Sequence, residues 1–544
     1  MRSATFFLFL LLGGQDVSSS FQLPGKKSLR ISSNAGVERS FGKVSPAKIG
    51  GSQNPSRNED FALELSAEGA TTSSDLPTTN GIMKASIVVG VITAAMGYVY
   101  GKVLSFCVKT VWHTLPAMFQ AETFNPVYFI TGICTLGGLI MGVLSTALSS
   151  TSFTVADFVA LFSSSGDKTL PSSRKYLLPL LLLSLVTSTF GFSVGPEAPM
   201  VCAGALLGAS AARYFYGSAE ECGSSEPQET LAYAGASGAL TAFMGIPVAG
   251  SIFALELTSS HAGMNKAGGK RALSSTIMSS VAALVAIRAI FDPAGAVGGH
   301  FSYGAVSPLA GRTMIATAIA CGAGGGLLGT VFHKMVGVFK KISWNVGAKS
   351  DGKKNLRPII VKTMIGLLVG LLSCNYPQTL FWGEGSLQTV ISGHSTPFID
   401  TKHGLSEMLT SAARVNPNLP FANASAAAQV GIAKLVAIAL ACAGKFPGGI
   451  IFPLMFAAAP LAHSVSSLLG VSGSLVPLIV MSLMGATQAA VTRTPLATAL
   501  ILSLTASAKT ELSVMLPGMI LSSYLGVYFS RLFSKNSYFA YNEE

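Results

Sequence analysis

The sequence predicts an all-α polytopic membrane protein made of two repeated halves, with broken half-helices meeting near the membrane midplane. Three observations carry this prediction. Half of the 544 residues are hydrophobic and 11% are charged, with a mean hydropathy of +0.54, whereas a water-soluble globule carries about 25% charged residues. The apolar residues fall in blocks of about 17–25, the length that crosses a bilayer. Two proline signals also recur at one fixed displacement, the mark of a duplicated transporter.

Taken in chain order, residues 1–80 stand apart as a targeting presequence. Residues 1–20 carry one positive charge (Arg2), an apolar core Thr5–Leu12 and the small run Ser18–Ser20, the layout of a signal peptide. The segment from Phe21 to about Thr79 is rich in Ser, Lys and Arg without apolar periodicity, so it cannot bury a core. "SSSFQLP" is similar to the cleavage motif of bipartite presequences in algae with secondary, red-derived plastids. A plastid membrane, thylakoid or envelope, is therefore expected. A secretory signal followed by a disordered tail, with delivery to an endomembrane, is the alternative.

Residues 81–544 form the expected transmembrane domain, with repeat halves at about 81–290 and 310–530. Ile87–Val108, Tyr128–Leu148, Tyr176–Phe192 and Met314–Val331 are candidate spans. The net charge of +12 does not point to nucleic acid. Its basic residues sit between apolar blocks, as the positive-inside pattern requires. Lys340, Lys341, Lys349, Lys353, Lys354 and Arg357 mark one connection as lying on the side where the chain is made. The seven cysteines form no CxxC pair, so neither a zinc site nor a disulfide framework is indicated. No cofactor or metal is expected, and the scattered histidines read as structural.

The repeat locates the pathway. Pro199 in "GPEAPMV" and Pro247 in "GIPVAGSIFALEL" lie 48 residues apart, as do Pro447 in "GKFPGGIIFP" and Pro495 in "RTPLATALILSL"; each pair is displaced by 248 residues. Each signal places Pro or Gly before an apolar run. Proline suits the first helical turn because its missing N–H would have no partner there, and glycine allows close backbone approach. Helix N-termini expose unpaired N–H groups and a partial positive charge, a ready anion site. In a bilayer such irregular backbone survives only inside protein or along a cavity. Two such ends together make an anion site without a full positive charge, which would hold the ion too tightly for throughput.

These segments resemble those of the CLC chloride channel and transporter family. "GFSVGPEAP" (191–199) resembles its GxEGP motif, with Glu197 at the gating position and Ala198 where glycine is usual. "GKFPGGIIFP" (444–453) resembles the stretch holding GxFxP, with Ile451 where phenylalanine is usual. "IPVAGSIFALE" and "TRTPLATALILSL" are similar to its two proline-led helices, and Tyr538, 21 residues after Pro517, falls near its pore tyrosine. The family's GSGIP segment has only "SSTSFTVADF" (149–158) as a counterpart. Ser152 is the candidate pore serine there, with Ser150 and Thr151 as alternatives. A serine in that segment goes with chloride in the family and a proline with nitrate.

The resemblance implies the CLC fold of two inverted repeats, in an eukaryotic, plastid-type member without paired nucleotide-binding (CBS) modules after the last helix. It implies a homodimer in the membrane with one pore per subunit, carrying chloride or another small anion. Glu197 would gate a pore lined by backbone near Gly195, Pro196 and Ala198 and near Phe446, Gly448, Gly449, Ile450 and Ile451, with the hydroxyls of Ser152 and Tyr538. Taken alone, Glu197 could instead be a helix-start carboxylate, Tyr538 an interfacial anchor, and Lys445 a snorkelling cation. Leu257 stands where the family's exchangers carry a proton-relay glutamate. The expected function is thus a voltage- or pH-gated chloride channel. A proton-coupled chloride or nitrate antiporter on the same fold is the alternative. An enzyme is not expected, since no HExxH or GxSxG lies within the spans.

Overall fold

The computed structural model describes residues 79–118, 126–148, 173–217, 225–262, 269–291, 301–304, 311–345, 356–393, 421, 423–471, 473–506, 512–534 and 538. The presequence (1–78) and the "SSTSFTVADF" segment with Ser150, Thr151 and Ser152 lie outside the described residues. Ordered structure is helical throughout the described residues, apart from two isolated bridges.

In the first half the helices are α1 (Thr79–Lys109), α2 (Pro126–Ala147), α3 (Ser173–Thr189), α4 (Glu197–Tyr216), α5 (Glu226–Met244), α6 (Pro247–Ala262) and α7 (Gly269–Ala286). The second half holds α8 (Gly311–Asn345), α9 (Arg357–Asn375), α10 (Ala424–Ala443), α11 (Ile451–Leu468), α12 (Val476–Thr492), α13 (Pro495–Leu504) and α14 (Leu512–Phe533). Among the described residues, seven helices are long and apolar enough to cross a membrane. Three of the four predicted spans fall in these seven, and α1 and α8 outrun theirs at 31 and 35 residues; the span expected at Tyr176–Phe192 is a 17-residue helix, α3, that stops at Thr189, short of that length.

Helix starts follow local chemistry. Asn423 caps α10 by accepting from the Ala426 N–H at 2.8 Å, and Pro247 and Pro495 open α6 and α13. These two prolines confirm one predicted repeat pair. The other pair is not equivalent. Pro199 lies inside the first turn of α4, whereas Pro447 precedes α11 by four residues. Gly195 and Gly449 are the residues that face each other, so the shared 248-residue spacing of Pro199 and Pro447 does not mark matched positions.

Packing repeats between the halves. α1 packs with α5 and α7, and α8 packs with α12 and α14; α4 packs on α5, and α11 on α12. The halves meet where α2 crosses α9 and α6 crosses α13. The α2–α9 crossing is made by glycines one turn apart on both helices. A Cβ on Gly142 would lie 2.6 Å from Ile359 Cα, and one on Gly370 would lie 2.8 Å from Thr131 Cα. Gly138 and Gly366 are equally crowded by opposing backbone. Lipid supplies no hydrophobic drive for helix association, so close approach through small residues holds this seam.

Polarity is arranged for lipid. Leu136, Leu139 and Val143 of α2 and Ile360, Met364, Leu368 and Leu371 of α9 are exposed. One cluster of buried hydroxyls bonds between helices: Ser251 Oγ lies 2.9 Å from both Ser237 and Ser280. Six cysteines are described, all of them free.

Candidate functional site

The site is built where two helices begin inside the protein. α4 starts at Glu197 and α11 at Ile451. The loops before them are tied by a reciprocal pair: Gly195 N–H donates to Gly449 O at 2.8 Å, and Gly449 N–H to Gly195 O at 2.5 Å. The pair demands glycine. A Cβ on Gly195 would fall 2.6 Å from the Glu197 carboxyl carbon, and one on Gly449 would fall 3.0 Å from Ala198 N. Phe192 and Phe446, from the same two loops, pack with their rings tilted at 31° and centroids 4.1 Å apart.

Glu197 is fully buried, and neither of its carboxyl oxygens has a hydrogen-bond partner. Its carboxyl group faces the backbone N–H groups of Glu197 itself and of Phe452, in the first turn of α11. The N-cap of α4 is Pro196, which offers no side-chain cap, and Glu197 is the acidic residue of the first turn. The group is held in the combined positive field of two helix ends, an arrangement that equally suits a small anion.

A cavity opens at this point. Glu197, Ala198 and Val201 form one wall, Gly448, Gly449, Ile450 and Ile451 another, and Phe253, Thr492 and Tyr538 complete it. The structure thus brings together Glu197, Ala198, Gly448, Gly449, Ile450, Ile451 and Tyr538 from the predicted set. Gly195, Pro196 and Phe446 stand behind the lining, in the loops that aim it. Tyr538 is partly buried, packs 6.1 Å from the Phe332 ring and hydrogen-bonds the Cys442 thiol. Ser152 lies outside the described residues.

Val201 closes the Gly195–Val201 stretch expected to line the pathway, whereas Phe253 and Thr492 escaped the sequence reading although each lies in or beside a quoted segment. They reach the cavity only through contact between halves, which no local spacing reports. Two charged residues escaped it too. Glu384 acts electrostatically on Glu197 and accepts from Trp382 Nε1 at 3.0 Å. Lys434 of α10 is fully buried; its ammonium donates to Phe381 O at 2.7 Å and, at 3.2–3.4 Å, to the carbonyls of Gln378, Thr379 and Leu380. It also lies 4.8 Å from the Phe456 ring centroid. The turn it grips is laced to the gate loop, because Phe381 N–H donates to Gly191 O and Ser193 Oγ donates to Thr379 O. A lysine in an apolar helix was the available signal.

Lys445 is exposed and holds its ammonium 4.8 Å from the Trp344 ring centroid. Leu257 is fully buried. Its neighbour Glu256 accepts from Leu496 N–H at 3.1 Å and Ala497 N–H at 2.8 Å, capping the start of α13.

An all-helical membrane domain whose halves meet at paired broken-helix ends defines a membrane transporter of small anions. The model of the family described as voltage gated chloride channel matches residues 165–530, and the chain belongs to that family. Three solved structures share the fold. A slow cyanobacterial Cl⁻/H⁺ antiporter is 14% identical, with 85% of this chain and 96% of that one covered and a TM-score of 0.63. A CLC-type fluoride/proton antiporter is 17% identical, with 86% and 98% covered and a TM-score of 0.58. A eukaryotic CLC transporter is 15% identical, with 84% and 72% covered and a TM-score of 0.59. No curated protein matches the sequence.

Proposed function

We propose that the protein is a chloride channel gated by Glu197. The observation that carries this reading is the buried, unbonded Glu197 carboxyl group facing the N–H groups of two helix ends. That is the place an anion would take. Ionised, the carboxylate competes with chloride there. Protonated or drawn away by voltage, it leaves, and chloride passes between the helix ends and on past Tyr538. Backbone N–H groups and hydroxyls bind the ion weakly enough for release.

Passive conduction is favoured over proton exchange by the residues on α6. Leu257 cannot bind a proton, and Glu256 is engaged by two N–H groups of α13. The antiporter reading draws on the two antiporters that share this fold. Proteoliposomes given a chloride gradient, with external pH recorded, separate the two. Chloride efflux without proton movement is expected. Uphill proton movement abolished by Glu197→Gln would establish the antiporter instead.

The proposal extends to assembly and address: a homodimer with one pore per subunit, without cofactor, directed by residues 1–80 to a plastid membrane.

A further inference from the structure

The end of α8, the start of α9 and the loop after α10 come together around one tryptophan. With α2 these helices share an apolar core, in which Met141, Val336, Val361, Ile438 and Phe446 pack. Trp344, in the last turn of α8, donates its indole N–H to Ala443 O at 2.9 Å. Two cations lie near its ring: Lys445 Nζ is 4.8 Å and Arg357 Cζ 5.9 Å from the ring centroid. Lys445 is held there with φ 55°, a backbone conformation that residues other than glycine seldom adopt. A third cation, the buried Lys362, donates to Lys445 O at 3.0 Å and lies 5.1 Å from the Phe446 ring centroid.

These elements supply no counter-charge. α2, α8, α9, α10 and the loop 443–451 contain no Asp or Glu. Lys445 acts on Lys362 as a like charge, and Arg357 Nε is buried without a hydrogen-bond partner. Like charges repel strongly in poorly polarisable surroundings, and an unpaired buried donor is costly. An anion against the three cations relieves both.

The surroundings set the chemistry of that anion. Arg357 opens α9 directly after the basic connection, and Lys341 is exposed one turn before Trp344. The positive-inside pattern puts these helix ends at the membrane face on the side where the chain is made, a level where tryptophan also gathers. Below them Leu356, Ile360 and Met364 recur every fourth residue along α9 and are 57%, 49% and 50% exposed, an apolar strip turned to lipid. Cations at the interface above such a strip match a molecule with an anionic head and a hydrocarbon tail. A free anion would use only the cations. We propose that Arg357, Lys362 and Lys445 form a site for the phosphate headgroup of an anionic phospholipid, with an acyl chain along Leu356, Ile360 and Met364. The arginine fork suits phosphate oxygens. Lys445 directly precedes Phe446, so an occupied site braces the loop behind the gate lining. The site stands whether or not Glu197 is the gate.

The test is native mass spectrometry of the full chain, stripped of lipid in detergent and offered phosphatidylglycerol or phosphatidylcholine. Phosphatidylglycerol is expected to be retained and phosphatidylcholine released. Arg357→Gln with Lys445→Gln should weaken retention at least about tenfold, and each single substitution should give part of that loss. Arg357→Lys with Lys445→Arg keeps both charges and should keep the lipid. Lys102→Gln with Lys175→Gln is the control for net charge. It removes two cations that also lie over aromatic rings, at 5.2 and 5.6 Å, and should leave retention at the native level. Equal retention of the two lipids, retention that survives Arg357→Gln with Lys445→Gln, or an equal loss in the control pair overturns the inference. Displacement by inorganic phosphate or chloride would make the patch a free-anion site and overturn it too. In proteoliposomes, native chloride flux should be higher with phosphatidylglycerol than in phosphatidylcholine alone. A rise of the same size in the Arg357→Gln, Lys445→Gln protein would place the effect elsewhere and overturn the brace.

Discussion

Glu197 is the first residue of α4, where a carboxylate is ordinarily welcome, yet it is fully buried and unbonded. A buried carboxylate without partners is costly, and in a membrane domain it is a functional group by default. Its competition with an anion depends on charge, so flux through the native protein should rise as acidification neutralises the carboxyl group. Glu197→Gln keeps the volume and removes the charge. Stopped-flow or electrode flux assays across pH and voltage should then show a constant, open-level chloride permeability. Flux with unchanged pH dependence would remove Glu197 from the gate. Loss of transport together with unfolding would point to a structural carboxylate.

Among the elements, the turn at 376–386 ties the gate loop through Phe381 and Thr379, and Lys434 holds the turn. Its ammonium is surrounded by four main-chain carbonyls and the Phe456 ring. Lys434→Met preserves volume but leaves Phe381 O without that donor. The expected loss is about 1–3 kcal/mol, the cost of orphaning a buried acceptor. It should appear as a lower melting temperature in detergent, and chloride flux should fall as the Gly191–Phe381 tie loosens. An unchanged melting temperature would mean that the neighbouring hydrogen bonds suffice. α6 and α13 show the same logic between halves, because Glu256 of one caps the other.

At the scale of the whole molecule, the described residues put apolar side chains on the outer faces as well as in the core, and some buried hydroxyls bond across helices. The proposed address lies in residues 1–80. Fused to a fluorescent protein, they should enter the plastid of an alga with secondary plastids, and Phe21→Ala should divert the fusion to the secretory route. Delivery of the intact presequence to the cell surface would count against a plastid address.

Spans, the two-half plan and most of the cavity's backbone were legible in the sequence because they depend on local chemistry. Apolar length sets a span, and a proline with neighbouring glycines sets a broken-helix start. The helix pairing of Pro247 with Pro495 could be read this way. The pairing of Pro199 with Pro447 could not, since one proline lies within its helix and the other in the loop before it. Only the tertiary structure joined Gly195 to Gly449, turned Phe253 and Thr492 into the cavity, and set Lys434 among carbonyls more than fifty residues away in sequence. These contacts come from packing one half against the other and one helix face against a distant turn. Such contacts leave no periodicity in the chain, because either partner alone would be an unremarkable apolar or polar residue.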